Sequence, residues 1–253
     1  MKTAFAAQVA ETALKKLLRY VPADRCAGLC AALIQAQSKK LTPADALRFL
    51  FSLDNSLYAL EGEMAIAYDQ GIHTKHRHTG YHQFFISRIQ AHEHVLDIGC
   101  GNGALAYDIV KNTQSRVTAI DINETSIQEA RLRYPHSNIT YLAGDPTESL
   151  INYAADVVIL SNVLEHIKQR VLFLQKIRTT VQPQRFLIRI PLFERDWRVP
   201  LKKELGIEWR LDPSHETEYT IDAFQEEMAA AGLTIHYHEI RWGEIWAEVL
   251  SYQ

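Results

Sequence analysis

Four polar clusters follow short apolar runs in this chain, around residues 97–104, 121–122, 143–146 and 161–166. The first, Asp97-Ile98-Gly99-Cys100-Gly101-Asn102-Gly103-Ala104, joins a carboxylate to a glycine-rich turn. Glycines carry no side chain, so a ligand can approach the backbone there at the start of a helix. Read as Gly-x-Gly-x-x-Ala, with Asp121 at about the right distance, the same residues satisfy a dinucleotide fingerprint. The glycines alone therefore leave the ligand open. Asp97 narrows it, because a carboxylate ending a buried strand needs a cationic or hydrogen-bonding partner. It would repel a pyrophosphate and hold an ammonium, unless it only caps the next helix. Asp121 can accept both hydroxyls of a ribose, and Asp145, in Ala143-Gly144-Asp145-Pro146, can accept from an adenine amino group. Ser161-Asn162-Val163-Leu164-Glu165-His166 closes the fourth run.

Two histidines could take a proton. His215 lies in Asp212-Pro213-Ser214-His215-Glu216-Thr217-Glu218-Tyr219, a long stretch of the kind that forms lids and binding loops. Glu216 and Glu218 are placed to orient its ring, and a neutral imidazole accepts a proton near neutral pH. Read plainly, His215 caps the helix beginning near Thr220. His166 is the second candidate, or simply opens a helix. His73, His76, His78 and His82 cluster with Lys75 and Arg77 without cysteine or zinc-site spacing, so no metal site is expected. That segment reads as a solvated linker, or as a flap in which Arg77, Tyr81 or His82 folds over the ligand and pairs with a carboxylate.

The elements that must position these residues follow from patterning. Residues 1–70 carry helical spacing, such as Leu14, Leu17, Leu18 and Val21, with starts at Pro22 and Thr42-Pro43 and a stop at Gly71. From about residue 93, strand-like runs 94–98, 116–121, 139–143, 156–160 and 185–190 alternate with helical stretches 103–111, 124–134 and 166–180. Such alternation implies an α/β fold with a parallel sheet covered on both faces. Runs 233–241 and 244–251 are joined only by Trp242-Gly243, which forces an antiparallel hairpin. The expected organisation is a helical subdomain over 1–75 covering an acceptor site, then a ligand-binding domain over 76–253 with 191–220 as a loop insertion.

With 27 basic and 30 acidic residues, a net charge of −3 provides no footprint for nucleic acid or an anionic membrane. The three cysteines, Cys26, Cys30 and Cys100, lack disulfide-framework spacing and suit a reduced, cytoplasmic protein. Gln8 and Glu11 interrupt the apolar start before a signal core forms, and no run approaches the roughly 18 apolar residues of a membrane span.

Over roughly residues 80–253 the chain resembles the class I S-adenosylmethionine-dependent methyltransferases, on Asp-x-Gly-x-Gly-x-Gly, the three later clusters and the terminal hairpin. The resemblance implies a Rossmann-like seven-stranded sheet with its last strand antiparallel, and S-adenosylmethionine as cofactor. It implies cofactor contacts at Asp97, Gly99, Gly101, Asp121, Asp145 and Asn162, extended to Gly103, Ile122 and Pro146 in the same turns and to Arg77 and Tyr81 ahead of them. Asn162-Val-Leu-Glu-His is similar to the fourth-strand motif of small-molecule methyltransferases, such as those of quinone biosynthesis. Gly71–Ile89 and Trp242–Trp246 resemble bacterial methyltransferases, some acting on sugars of surface polysaccharides. No Asn-Pro-Pro-Tyr-type tetrapeptide or Pro-Cys nucleophile is present. The expected reaction is O-methylation of a small molecule or glycan by in-line displacement, with His215 and then His166 as base. An NAD-dependent oxidoreductase and a non-catalytic cofactor-binding protein are the alternatives.

Overall fold

The computed structural model describes residues 12, 15–16, 19–146 and 153–251. The chain divides into two compact units, Met1–Glu63 with Leu205–Ile207, and Met64–Glu204 with Glu208–Gln253. The first unit is helical, as expected, with a helix over Ala23–Ser38 and the start of another over Pro43–Tyr68. Most of the helical sequence expected before residue 19 lies outside the described residues. The Thr42 hydroxyl accepts the Asp45 N–H at 3.2 Å and donates to its carboxylate at 2.7 Å, so Thr42-Pro43 starts the second helix as read. The compact unit ends at Glu63, within that helix, rather than at residue 75.

The second unit holds a seven-stranded sheet, β1 His94–Ile98, β2 Arg116–Asp121, β3 Ile139–Ala143, β4 Val157–Ser161, β5 Arg185–Pro191, β6 Thr234–Arg241 and β7 Glu244–Leu250, in the order β3-β2-β1-β4-β5-β7-β6. Strands β1 to β5 pair in parallel, and β7 runs antiparallel to both β5 and β6. This is the Rossmann-like seven-stranded sheet with an antiparallel terminal hairpin that the sequence implied. Trp242 and Gly243 both adopt positive φ, 54° and 73°, the pattern of a type I′ turn whose twist matches the strands it joins.

The central strands are apolar on both faces because both faces are covered. Leu96, Ile98, Val158, Leu160, Phe186 and Ile188 pack with Phe173, Leu174 and Ile177 of helix Arg170–Thr180 and with Phe224 and Met228 of helix Ile221–Ala230. Val95, Val117, Ala119, Val157, Ile159, Leu187 and Trp246 pack on the other side with Phe84, Phe85, Leu105 and Ile109. Alternation along β1 thus places Asp97 on the second of these faces.

The segment 191–220 departs from expectation. Rather than a plain loop, it contains a 3-10 turn, Phe193–Arg195, and a helix, Arg198–Glu204. Asp196 Oδ1 accepts the Arg198 N–H at 2.9 Å, and Pro200 falls in the first helical turn, where a missing N–H costs nothing. Leu192 bridges Tyr219 in parallel, which ties the two ends of the segment together.

Arg185 fixes the entry to β5 by donating to both Glu93 oxygens at 2.8 and 2.7 Å and to the Arg88 carbonyl at 2.6 Å. Both partners are largely buried, with side chains 9% and 13% exposed. Removing one member of a buried pair strands the other charge and costs about 3–5 kcal/mol. Arg185→Met should lower stability by that amount in urea denaturation, and a loss below about 1 kcal/mol would show the pair to be dispensable.

Candidate active site

The strand order reverses between β1 and β4, and ligands of open parallel sheets bind at such a point, beyond the strand carboxyl ends. Here β1 leads into Gly99-Cys100-Gly101 and β4 into Asn162-Val163. The two turns touch, since a Cβ on Gly99 would lie 2.6 Å from Val163 Cγ2. Asn162 holds φ at +57°, a left-handed conformation that Asn tolerates better than most residues. Its N–H continues the ladder to the Arg189 carbonyl at 2.7 Å, while its buried Oδ1 has no hydrogen-bond partner.

Asp97 is 1% exposed, and its Oδ2 likewise has no partner. Burial first, and then the Asp121 charge, push its carboxyl up to about 7. It does not cap the following helix, Ala104–Thr113, which starts at Gly103 without a side-chain cap. Asp121 accepts the Gly101 N–H and the Asn123 N–H, both at 2.8 Å, which pins the glycine turn to the end of β2 and leaves lone pairs on both oxygens. The Gly144 N–H donates to the Asp121 carbonyl at 3.0 Å, bringing the turn with half-buried Asp145 and Pro146 beside it. Ile122 is 72% exposed at the same edge.

The two later glycines of the turn serve different ends. A Cβ on Gly103 would meet Tyr141 at 2.7 Å and Ala130 at 2.9 Å, so Gly103 has a packing reason of its own. A Cβ on Gly101 would meet nothing within 4 Å, so the space over that residue is open.

The segment before the sheet is ordered rather than a solvated linker, with short helices Lys75–Thr79 and Tyr81–Ile86. Tyr81 is buried; its hydroxyl hydrogen-bonds His76 Nδ1 at 2.8 Å, and the Arg189 guanidinium covers its ring at 3.8 Å. Burial pushes the Tyr81 phenol up to about 12 and, with neighbouring cationic groups, the His76 imidazole down to about 4, so both are neutral at pH 7. His82 pairs with Asp108 at 2.6 Å and joins this segment to helix Ala104–Thr113. Arg77 turns instead to Asp69 at 3.3 Å and is more than half exposed.

His166 and His215 come together, with ring centroids 4.7 Å apart. An Asx turn builds this contact: Asp212 Oδ1 accepts the Ser214 N–H at 2.8 Å, and the His215 N–H donates to the Asp212 carbonyl at 3.0 Å. The Glu216 N–H then donates to the Glu165 carbonyl at 2.7 Å, fastening the turn to the residues after β4. His215 is 5% exposed, and its Nδ1 lies 3.4 Å from Glu218 Oε1, so Glu218 orients it. Glu216 faces Lys168 at 3.7 Å instead. Thr220, not His215, caps the helix Ile221–Ala230, by accepting the Ala223 N–H at 3.1 Å.

Glu165 was not read as a site residue from the sequence. It is fully buried with neither carboxylate oxygen hydrogen-bonded, and burial pushes its carboxyl up to about 7. The signal available was a charge directly after Val163-Leu164, both of which are buried. Arg189 was missed too, although it interrupts the apolar run of β5. Its guanidinium binds Glu244 in bidentate fashion at 2.7 and 3.0 Å and donates to Ser161 Oγ at 3.3 Å.

Residues 96–188 match the family model described as a methyltransferase domain. A Mycolicibacterium smegmatis protein named as a probable S-adenosylmethionine-dependent methyltransferase is 28% identical over 143 residues, covering 56% of this chain and 52% of its own. The 2-methyl-6-phytyl-1,4-hydroquinone methyltransferase of Synechocystis is 26% identical over 149 residues, covering 55% of this chain and 46% of its own. The chain thus spans about half the length of these curated relatives. Among solved structures, magnesium protoporphyrin IX methyltransferase from Synechocystis with bound S-adenosylhomocysteine superposes with a TM-score of 0.54 at 16% identity, over 69% of this chain and 84% of its own.

Residues 96–188 are thus similar to a methyltransferase domain, and the names of the relatives make S-adenosylmethionine the cofactor to test against the site. The residues present fit it, since buried Asp97 Oδ2 and Asn162 Oδ1 lack donors beside an open glycine turn. A pyrophosphate would bring a second anion to Asp97 and does not fit.

The glycine contrast is testable in stability alone. Gly101→Ala should cost only the left-handed backbone penalty, about 1–2 kcal/mol, because no protein atom lies within 4 Å of the new methyl. Gly103→Ala should cost clearly more, and equal losses in thermal melts would contradict the assignment.

Proposed function

We propose that this protein transfers the methyl group of S-adenosylmethionine to a hydroxyl of a small molecule or glycan. The observation that carries the reading is the cluster of buried Glu165 and His215 with exposed His166, Glu165 lying just after Asn162 in the sequence and His215 in the 212–219 turn, because a hydroxyl must lose its proton as it attacks and such groups can take it. The hydroquinone and the magnesium porphyrin named for the relatives differ widely, so likeness alone names no acceptor here.

When bound, the cofactor supplies an electrophilic methyl on a sulfonium, which passes in line to the acceptor oxygen and leaves S-adenosylhomocysteine. Asp97 holds the ammonium of its aminoacyl end by a charge-assisted bond. Asp121 takes the ribose hydroxyls on its remaining lone pairs, and Asp145, with Ile122 and Pro146 alongside, takes the adenine. Gly101 lets the ligand approach the turn, Gly99 lets that turn pack against Val163, Gly103 supports it, and Asn162 Oδ1 accepts from the aminoacyl end. Tyr81 walls the site from the preceding segment, whereas the Arg77–Asp69 pairing makes Arg77 the weakest of the sequence-derived contacts. Deprotonation falls to the Glu165–His166–His215 cluster. His215, oriented by Glu218, is the first base and His166 the second. The cluster would take the proton that the acceptor hydroxyl loses.

Incubation with methyl-labelled S-adenosylmethionine and fractionated cell extract tests the acceptor. Label on an oxygen of a small or glycan product supports the reading, and label confined to protein or nucleic acid overturns it. His215→Ala should lower kcat at least about 100-fold with S-adenosylhomocysteine affinity nearly unchanged, whereas a wild-type kcat would remove His215 from the chemistry.

Asp97 also imposes a pH dependence. Burial, and then the Asp121 charge, push the Asp97 carboxyl up to about 7, and only its ionised form pairs with an ammonium, so binding below that pH must expel a proton. Calorimetric affinity for S-adenosylhomocysteine should fall about tenfold from pH 8 to pH 6. Asp97→Asn should bind weakly and flatten this profile, and a wild-type profile in that variant would rule out the pairing.

A further inference from the structure

Glu165, His166 and His215 form the one group among the described residues in which three or more His, Cys, Asp or Glu side chains converge closely enough for a metal ion. Their ligand atoms all lie within 4.8 Å of one another. Ligands about 2.0–2.2 Å from a common ion stand roughly 3–4 Å apart, so closure needs movements of about 1 Å by side chains alone.

Two independent features point to a cation. Glu165 is fully buried with both carboxylate oxygens unsatisfied, and such a charge is held in native structures by a partner or a metal. The nearby cations are engaged elsewhere: Arg189 with Glu244 and Ser161, Arg195 with Glu218, and Lys168 with Glu216. The second feature is the set of hydrogen bonds behind the rings. His215 Nδ1 faces Glu218 Oε1 at 3.4 Å, and His166 Nδ1 faces Ser214 Oγ at 3.1 Å. A carboxylate or hydroxyl on Nδ1 fixes the tautomer and leaves Nε2 of each imidazole as the free donor, the arrangement found behind metal-binding histidines.

We propose that Glu165, His166 and His215 bind a divalent transition cation of the zinc or manganese kind, leaving open positions for oxygens of the methyl acceptor. Two imidazoles and one carboxylate suit such ions, whereas magnesium and calcium take oxygen ligands. Glu165 follows Asn162 by three residues, in the turn that leaves the carboxyl end of β4. The proposal rests on reading the cluster as the place where the acceptor hydroxyl is handled. It changes the role of His215, from a free base to a ligand of the ion that makes a coordinated hydroxyl more acidic.

The test uses the full chain, stripped with a chelator and titrated calorimetrically with Zn²⁺ and with Co²⁺, whose visible absorption reports its ligands. One ion per chain should bind at micromolar or tighter affinity. Glu165→Gln and His215→Gln, each checked for folding by circular dichroism, should weaken binding at least about 30-fold and lose the Co²⁺ absorption, while the control His78→Ala should not. No stoichiometric binding by the wild-type chain, or equal binding by Glu165→Gln, would overturn the proposal. S-adenosylhomocysteine titrated into the same stripped protein keeps the two readings apart. Failure to bind it removes the methyltransferase reading and leaves the ion measurement standing.

Discussion

In a parallel sheet the strand carboxyl ends converge on a crevice, and here that crevice holds two buried carboxylates, Asp97 and Glu165, whose oxygens no described protein group fully satisfies. Burying a charge without a partner is among the costliest things a fold can do, and the usual relief is protonation. Both groups show the strain as carboxyls pushed up to about 7. The remaining features of the edge follow from keeping these two carboxyls away from water while leaving oxygens on each without a protein partner.

The scaffold does this with rigid parts. The glycine turn is pinned to β2 through Asp121 and pressed against Val163, so Asp97 looks onto a fixed surface rather than a mobile loop. Glu165 is held by its own backbone, because the carbonyl receives the Glu216 and Thr217 N–H groups and so carries His215 to its place. The Arg189–Glu244 pair, capped by the Tyr81 ring and reinforced by the Trp246 indole at 2.9 Å, braces β5 and β7. Arg189 and Glu244 therefore balance one another's charge and are not free to satisfy Glu165.

The sheet was largely legible in the sequence because parallel strands covered on both faces read as apolar runs, and β1, β2 and β3 have the bounds expected. The cofactor edge was legible because polar residues ending such runs have little reason to be there otherwise. What escaped depended on long-range contact. Glu165 and His215 are about 50 residues apart, and only the Asx turn at Asp212 with its hydrogen bonds to Glu165 unites them. Arg77 and Glu216 were attractive by type and position, yet Asp69 and Lys168 took them by proximity. The helix in 191–220 was hidden because seven residues over Arg198–Glu204 are too few to establish a period.

A crystal structure of the protein with S-adenosylhomocysteine is the most direct measurement. The account predicts the ligand across the carboxyl ends of β1 and β4, with its ammonium about 2.7–3.2 Å from the Asp97 carboxylate and its ribose on Asp121. A ligand bound away from that edge, or one whose ammonium leaves Asp97 Oδ2 without a partner, would contradict it.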